Sequence, residues 1–205
     1  MPKRKRDNST FPQKVALRQE ALRLLYASPV IMETHGGVGK LFDAVYAHVE
    51  RGIVFEKDAD KTAVLGKQRP SWAVYEADCV TALQEGVGSH LAVNFLDIDP
   101  YGECWPVVDA FFGSKRPFAD YMVITINDGL RQSLALGKAW AVGSMQSIVA
   151  RYGNDIHNKY LDVCQVLLKE KAAMAGYSIN RFHGYYCGYS RANTHFMAVL
   201  ERGQS

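Results

Sequence analysis

Val30-Ile31-Met32-Glu33-Thr34-His35-Gly36-Gly37-Val38-Gly39 is an apolar run that ends on an acid and breaks into glycines. The run reads as a short buried strand. The glycines read as a tight turn whose backbone can approach a ligand, ahead of a helix that offers free N–H donors. Working outward, a helix is expected from Pro12 to about Ala27, ended by Pro29. On the other side, a helix over about 41–50 is stopped by Gly52, and Ile53–Glu56 forms a second strand. A helix follows over Asp58–Lys67 with Asp58 as its N-cap, then a third strand over Trp72–Glu76 and a helix over Cys79–Gln84. Leu91–Leu96 is a fourth strand, apolar enough to be covered on both faces. Trp105–Phe112 is a helix and Tyr121–Ile126 a fifth strand. Beyond Gly129 there is room for two helices, near 131–151 and 155–175. The strands Ser178–Phe182 and His195–Arg202 then follow with no helix between them, so they must pair antiparallel. The expected fold is α/β: a three-layer sandwich with a seven-stranded, mostly parallel sheet and a C-terminal antiparallel strand pair.

The chain has 205 residues, 48% hydrophobic and 22% charged, and reads as one domain over 12–205 behind a flexible basic tail, 1–11. No apolar run approaches the roughly 20 residues needed to cross a bilayer, so no membrane partner is expected. The basic start, Lys3 to Arg6, lacks the apolar core of a secretory signal. It suits phosphate contact and a solvated terminus equally. The four cysteines, Cys79, Cys104, Cys164 and Cys187, show no CxxC spacing. That pattern argues against zinc and a disulfide framework, implies no metal, and suits the cytoplasm.

In an open α/β sheet, ligands sit beyond the carboxyl ends of the strands. The residues at those ends are therefore the candidates. The first end brings Glu33, His35, Gly37 and Gly39, although glycines alone also suit a structural loop. The second brings Glu56 and Lys57, the acid placed for the ribose hydroxyls of a nucleoside cofactor or simply for solvent. The third brings Asp78 and Cys79: a carboxylate for an adenine amine beside a backbone N–H for a ring nitrogen, or an N-cap, or both. The fourth brings Asp97-Ile98-Asp99-Pro100-Tyr101-Gly102, the most specific signal in the chain. Turn chemistry explains Asp, Pro and Gly there but not the whole set.

These features resemble the class I, Rossmann-like S-adenosylmethionine-dependent methyltransferases over about Ser28 to Arg202. The glycine turn, Glu56 and Asp78 are similar to that family's first three cofactor motifs, and the final strand pair to its sixth and seventh strands. His35 departs from the pattern, standing where the family often has glycine. The run from Asp97 to Gly102 is similar to the fourth motif of tRNA guanine N2-dimethyltransferases and, less closely, to that of amino-methylating DNA methyltransferases, whose second proline it lacks.

The resemblance implies S-adenosylmethionine as cofactor and transfer of its methyl group to an exocyclic amine, with a nucleic-acid base, in RNA or DNA, as the expected acceptor. The Asp99 carboxylate and Pro100 carbonyl would accept the amine's N–H bonds, which favours the form with a localised lone pair. Tyr101 would stack on the base. Asp97 is expected to face the methionine amino group. A cysteine nucleophile is disfavoured because no Pro-Cys dipeptide occurs. Candidate substrate contacts are Arg181, His183, Tyr185 and Arg191 between the last strands, Arg116 in a basic turn, and Asn127 at the end of the fifth strand. Packing of these tyrosines against the core is the alternative. Two competing functions remain: an inactive module that binds cofactor or nucleic acid, and a protein or small-molecule methyltransferase. A nicotinamide oxidoreductase is disfavoured by the incomplete GxGxxG run and the terminal strand pair.

Overall fold

The computed structural model describes residues 10–135 and 143–203. Strands β1 (Val30–Glu33), β2 (Arg51–Glu56), β3 (Ala73–Glu76), β4 (Val93–Ile98), β5 (Phe118–Asp128), β6 (Tyr177–Cys187) and β7 (Asn193–Arg202) form one sheet in the order β3-β2-β1-β4-β5-β7-β6. The first five are parallel. β7 runs antiparallel between β5 and β6, which gives the expected terminal pair. The helices are α1 (Phe11–Leu22), α2 (Ala59–Gln68), α3 (Cys79–Gln84), α4 (Trp105–Gly113), α5 (Leu130–Ala135), α6 (Gly143–Tyr152) and α7 (Tyr160–Met174).

Period-two alternation divides the core between the two faces of the sheet. Ile31, Val54, Phe95 and Val123 pack with Leu17 and Ala21 of α1 and Leu65 of α2. Their neighbours Met32, Ile53, Leu96 and Ile124 pack with Leu83, Val108, Phe111 and Leu168 of α3, α4 and α7. Every residue of β1 and β4 is buried, as doubly covered strands require.

Several local expectations are corrected. The helix expected over 41–50 is a single π-helical turn, Phe42–Tyr46, which buries Phe42, Val45 and Tyr46 together. Gly52 lies inside β2 rather than stopping a helix, because a Cβ there would stand 2.5 Å from the Trp72 ring. That ring lies just before β3, its indole N–H bound to the Val49 carbonyl at 2.8 Å. β4 ends two residues later than its apolar composition suggests, so Asp97 is a strand residue paired in register with Glu33 and Thr125. The stretch after Phe182 continues as strand to Cys187. The helix expected near 131–151 is represented by α5 and α6, and its middle lies outside the described residues. Thr10 is buried and Phe11 opens α1, so these two residues belong to the folded domain rather than to the expected tail; positions 1–9 lie outside the described residues.

Candidate active site

A cleft of about 510 Å³ opens at the carboxyl ends of β1 to β4, within the size range of small-ligand sites. β1 is the switch point of the sheet, with β2 on one side and β4 on the other. The cleft is lined by Glu33, His35, Gly37, Glu56, Lys57, Asp78, Cys79, Asp99, Pro100 and Tyr101, so the carboxyl ends of four strands converge on it.

On the β2 side, Gly37 has φ 57°, a left-handed conformation that favours glycine, and nothing lies within 4 Å of where its Cβ would point. Its N–H donates to Glu56 Oε2 at 2.8 Å, and the Asp58 N–H donates to Oε1 at 3.0 Å. Each oxygen keeps a lone pair for a ligand hydroxyl. Asp78 caps α3 through Oδ1, which accepts from the Val80 and Thr81 N–H groups, so the cap uses one oxygen of the carboxylate. The Cys79 thiol is pushed up to about 12 by burial and by Asp78, so it is no nucleophile at neutral pH.

His35 is held in one tautomer. The Thr34 hydroxyl donates its single proton to the Asp97 carbonyl at 3.0 Å, so at 2.8 Å it must accept from His35 Nδ1–H. Nε2 is then unprotonated and accepts from the Cys79 thiol at 3.6 Å. Burial holds the ring below the ordinary histidine range despite the nearby Asp99, so it is uncharged.

The end of β4 is held by the N-terminal helix. Lys14 and Arg18 are one helical turn apart on α1 and meet Asp99, just past the end of β4, and Asp97, inside it. Arg18 donates through Nε to Asp97 Oδ2 at 2.8 Å and through Nη2 to Oδ1 at 2.5 Å, with both side chains fully buried. Tyr46 and Thr125 hydroxyls donate to the same carboxylate at 2.8 and 3.1 Å. Asp97 is therefore a structural anchor outside the cleft, which corrects its expected contact with the cofactor. Asp99 Oδ1 accepts from Lys14 Nζ at 2.5 Å and from Asn127 Nδ2 at 2.6 Å. Burial alone would raise this carboxyl, but Arg18 and Lys14 outweigh it and hold it below the usual carboxylate range. Glu33 borders the cleft, yet its carboxyl is bound by the buried Arg69 and is pushed up to about 7 by burial, against the pull of that arginine.

Other expected contacts do not reach the cleft. Gly39 has φ 79° and backs onto Gln68, whose side-chain oxygen lies 2.0 Å from its notional Cβ, so it serves packing. Arg116 is buried, donating to Ser114 Oγ and the Val87 carbonyl, and is no phosphate contact. Arg181 is an exposed residue of β6 that pairs with Glu20. Tyr185 packs on α1, donating to the Gln13 carbonyl at 2.9 Å, with the exposed His183 beside it. Asn127 donates to Asp99 and does not itself line the cleft. Arg191 lies in the exposed β6–β7 loop.

Sequence inspection missed Lys14, Arg18 and Glu103. Glu103 lines the cleft, and its Oε2 is buried without a hydrogen-bond partner. Lys14 and Arg18 carry only a helical spacing of basic residues, which by itself suggests a solvated face.

No family model and no curated protein matches the sequence. Solved structures do match by shape. Trm1 from Pyrococcus horikoshii with S-adenosyl-L-methionine superposes with a TM-score of 0.69 at 10% identity, covering 96% of this chain and 56% of that one. This chain thus spans little more than half of that protein's length. TYW2 from M. jannaschii with AdoMet gives 0.62 at 13% identity, covering 98% and 80%. The plantazolicin methyltransferase BpumL, in complex with a triazolic desmethylPZN analog and SAH, gives 0.59 at 10% identity, covering 97% and 87%. At such low identities the likeness is one of architecture: with its parallel core, terminal antiparallel pair and cleft at the switch point, the chain has the Rossmann-like fold of the class I methyltransferases.

Proposed function

We propose that the protein is an S-adenosylmethionine-dependent N-methyltransferase acting on an exocyclic amine of a nucleic-acid base. The observation that carries this is the placement of Asp99, Pro100 and Tyr101 in the same cleft as Gly37, Glu56 and Asp78.

The residues present suit the cofactor. Gly37 leaves open space where its backbone meets the cleft. Glu56 stands ready for two hydroxyls and Asp78 for an amine. When bound, S-adenosylmethionine supplies an electrophilic methyl group on a sulfonium. Glu33 and Asp97 are both committed to arginines and His35 Nε2 accepts from the Cys79 thiol, so on the β1 side the backbone of the Gly36-Gly37 turn is what would meet the cofactor.

On the acceptor side, Lys14 and Asn127 both bind Oδ1 of Asp99, which leaves Oδ2 for the incoming amine. Asp99 is ionised, so it accepts a hydrogen bond and opposes the positive charge that develops on the nitrogen. The Pro100 carbonyl is the second acceptor. Burial raises the carboxyl of Glu103, whose unpartnered oxygen is available to a base edge. Tyr101, almost fully exposed, offers a face for stacking.

The test has two parts. Calorimetry should detect S-adenosylhomocysteine binding and no NAD binding. Transfer of tritiated methyl should label total tRNA or DNA, and Asp99→Ala should abolish labelling while S-adenosylhomocysteine still binds. Commitment of Glu33 and Asp97 to arginines favours a second reading, a module that binds cofactor without turnover. Intact binding with no label in tRNA, DNA or protein selects it. Labelling of protein alone refutes the nucleic-acid acceptor.

A further inference from the structure

Beyond the cleft, three loops and the start of α1 join into one rim. The Gly129 N–H donates to the Gly102 carbonyl at 2.8 Å, tying the loop that carries Tyr101 to the end of β5. Two residues on, Arg131 donates to the carbonyls of His157, at 2.8 Å, and of Arg191, and lies 4.0 Å over the Tyr186 ring. Arg131 thereby fixes the β6–β7 loop. That loop abuts α1, since Thr10 Cγ2 lies 3.3 Å from the notional Cβ of Gly188, and Thr10 itself lines the cleft.

The loop is conformationally costly. Ser190 and Arg191 have φ values of 52° and 54°, consecutive left-handed residues without glycine's freedom. Strain of this kind persists where surrounding contacts impose it and marks sites of function. What it presents here is Tyr189, 86% exposed, beside the exposed Arg191. Tyr101, 97% exposed, stands on the neighbouring loop. The two solvent-facing tyrosine rings, with the exposed Arg191 guanidinium 5.8 Å over the Tyr186 ring behind them, are elements that bind an unpaired strand: faces for bases and a cation for the backbone.

We propose that Tyr101, Tyr189 and Arg191 form a docking rim for an unpaired nucleic-acid strand, which delivers its target base into the cleft at Asp99. This rests on the methyltransferase function proposed above, and it specifies a single strand or loop rather than a free nucleoside or an intact duplex. Bases stack on the tyrosines, which is tolerant of sequence, and Arg191 neutralises a phosphate. Arg131 acts behind the rim by holding the loop.

The experiment measures fluorescence anisotropy of labelled oligouridylate, oligothymidylate and a fully paired duplex with the full chain, with and without S-adenosylhomocysteine. The wild type should bind the strands more tightly than the duplex, and the ribose and deoxyribose arms tell RNA from DNA. Tyr189→Ala and Tyr101→Ala should each weaken strand binding about tenfold. Arg191→Gln should also lower the slope of log affinity against log salt by about 0.7, whereas Tyr189→Ala leaves that slope unchanged. Tyr26→Ala, an equally exposed tyrosine that stacks on Tyr121, should change nothing. Melting temperature and S-adenosylhomocysteine affinity check that the Tyr189 and Arg191 variants are folded. Wild-type preference for the duplex, absence of strand binding, or unchanged affinity in both Tyr189 and Arg191 variants overturns the rim. Loss of S-adenosylhomocysteine binding by the wild type instead overturns the underlying methyltransferase function.

Discussion

The ammonium of Lys14 stands 2.5 Å from Oδ1 of Asp99, joining the first helix to the end of the central strand across 85 positions of sequence. The contact fixes both the direction and the charge of the carboxylate. One oxygen is occupied and the other is left to the cleft, while Arg18 and Lys14 together outweigh burial and hold the carboxyl below the usual carboxylate range.

Removing that cation should show in the pH profile. With Lys14→Met, the Asp99 carboxyl moves up, because burial is then opposed by Arg18 alone among its cationic neighbours. Methyl transfer into the pool the wild type labels should fail at a higher pH on the acid side, and Lys14→Arg should restore the profile. Asp99→Ala should lower the rate by about 100-fold or more at every pH.

The buried pair beneath it is structural. Arg18→Met leaves Asp97 as an uncompensated buried charge and should cost about 3–5 kcal/mol in urea unfolding. Adding Asp97→Asn removes that charge while keeping an acceptor for Tyr46, and should recover part of the loss. A single variant as stable as the wild type would show that the pair contributes nothing.

Stability against pH should carry two opposed contributions. Burial pushes the Asp128 carboxyl up to about 7 from 3.8, although the Tyr160 hydroxyl bound to it at 2.6 Å pulls the other way. A folded value above the unfolded one means that this contribution is fully present below pH 3.8 and is lost as pH rises through about 7. Burial, with Arg18 and Lys14 nearby, pulls His195 down to about 3 from 6.5. Its contribution is present above pH 6.5 and is lost as pH falls towards 3. Asp128→Asn should therefore flatten the fall in melting temperature between pH 4 and 7, and His195→Gln the fall on the acid side.

Two glycines should separate fold from site. Gly52→Ala drives a methyl into the Trp72 ring and should destabilise by about 1–3 kcal/mol with S-adenosylhomocysteine affinity retained in the folded fraction. Gly37→Ala meets open space and pays only the left-handed backbone, about 1–2 kcal/mol, but it puts a methyl in the cleft. It should weaken S-adenosylhomocysteine binding by more than it lowers stability. Equal effects on binding in both variants would place Gly37 outside the ligand site.

Much of the fold was legible from local pattern. β1 and α3 fall where the apolar run and Asp78 cap put them, because burial and capping are set within a few neighbouring residues. The site was legible in outline for the same reason: Glu56, Asp78 and Asp99 follow strands whose ends must share one rim. What local pattern did not show is that Glu33 and Asp97 are taken by arginines. Glu33, Asp97 and Asp99 look alike in sequence, and only distant cations tell them apart.

The sequence by itself determined the alternation of strand and helix, the antiparallel close of the sheet and the acids at its carboxyl rim, since these depend on short-range periodicity and turn chemistry. Only the tertiary structure decided that Arg18 buries Asp97, that Arg69 takes Glu33, and that Lys14 leaves one oxygen of Asp99 open. Whether a carboxylate anchors the core or faces a ligand depends on which charge packs against it, and that charge arrives from helices whose position no local pattern encodes.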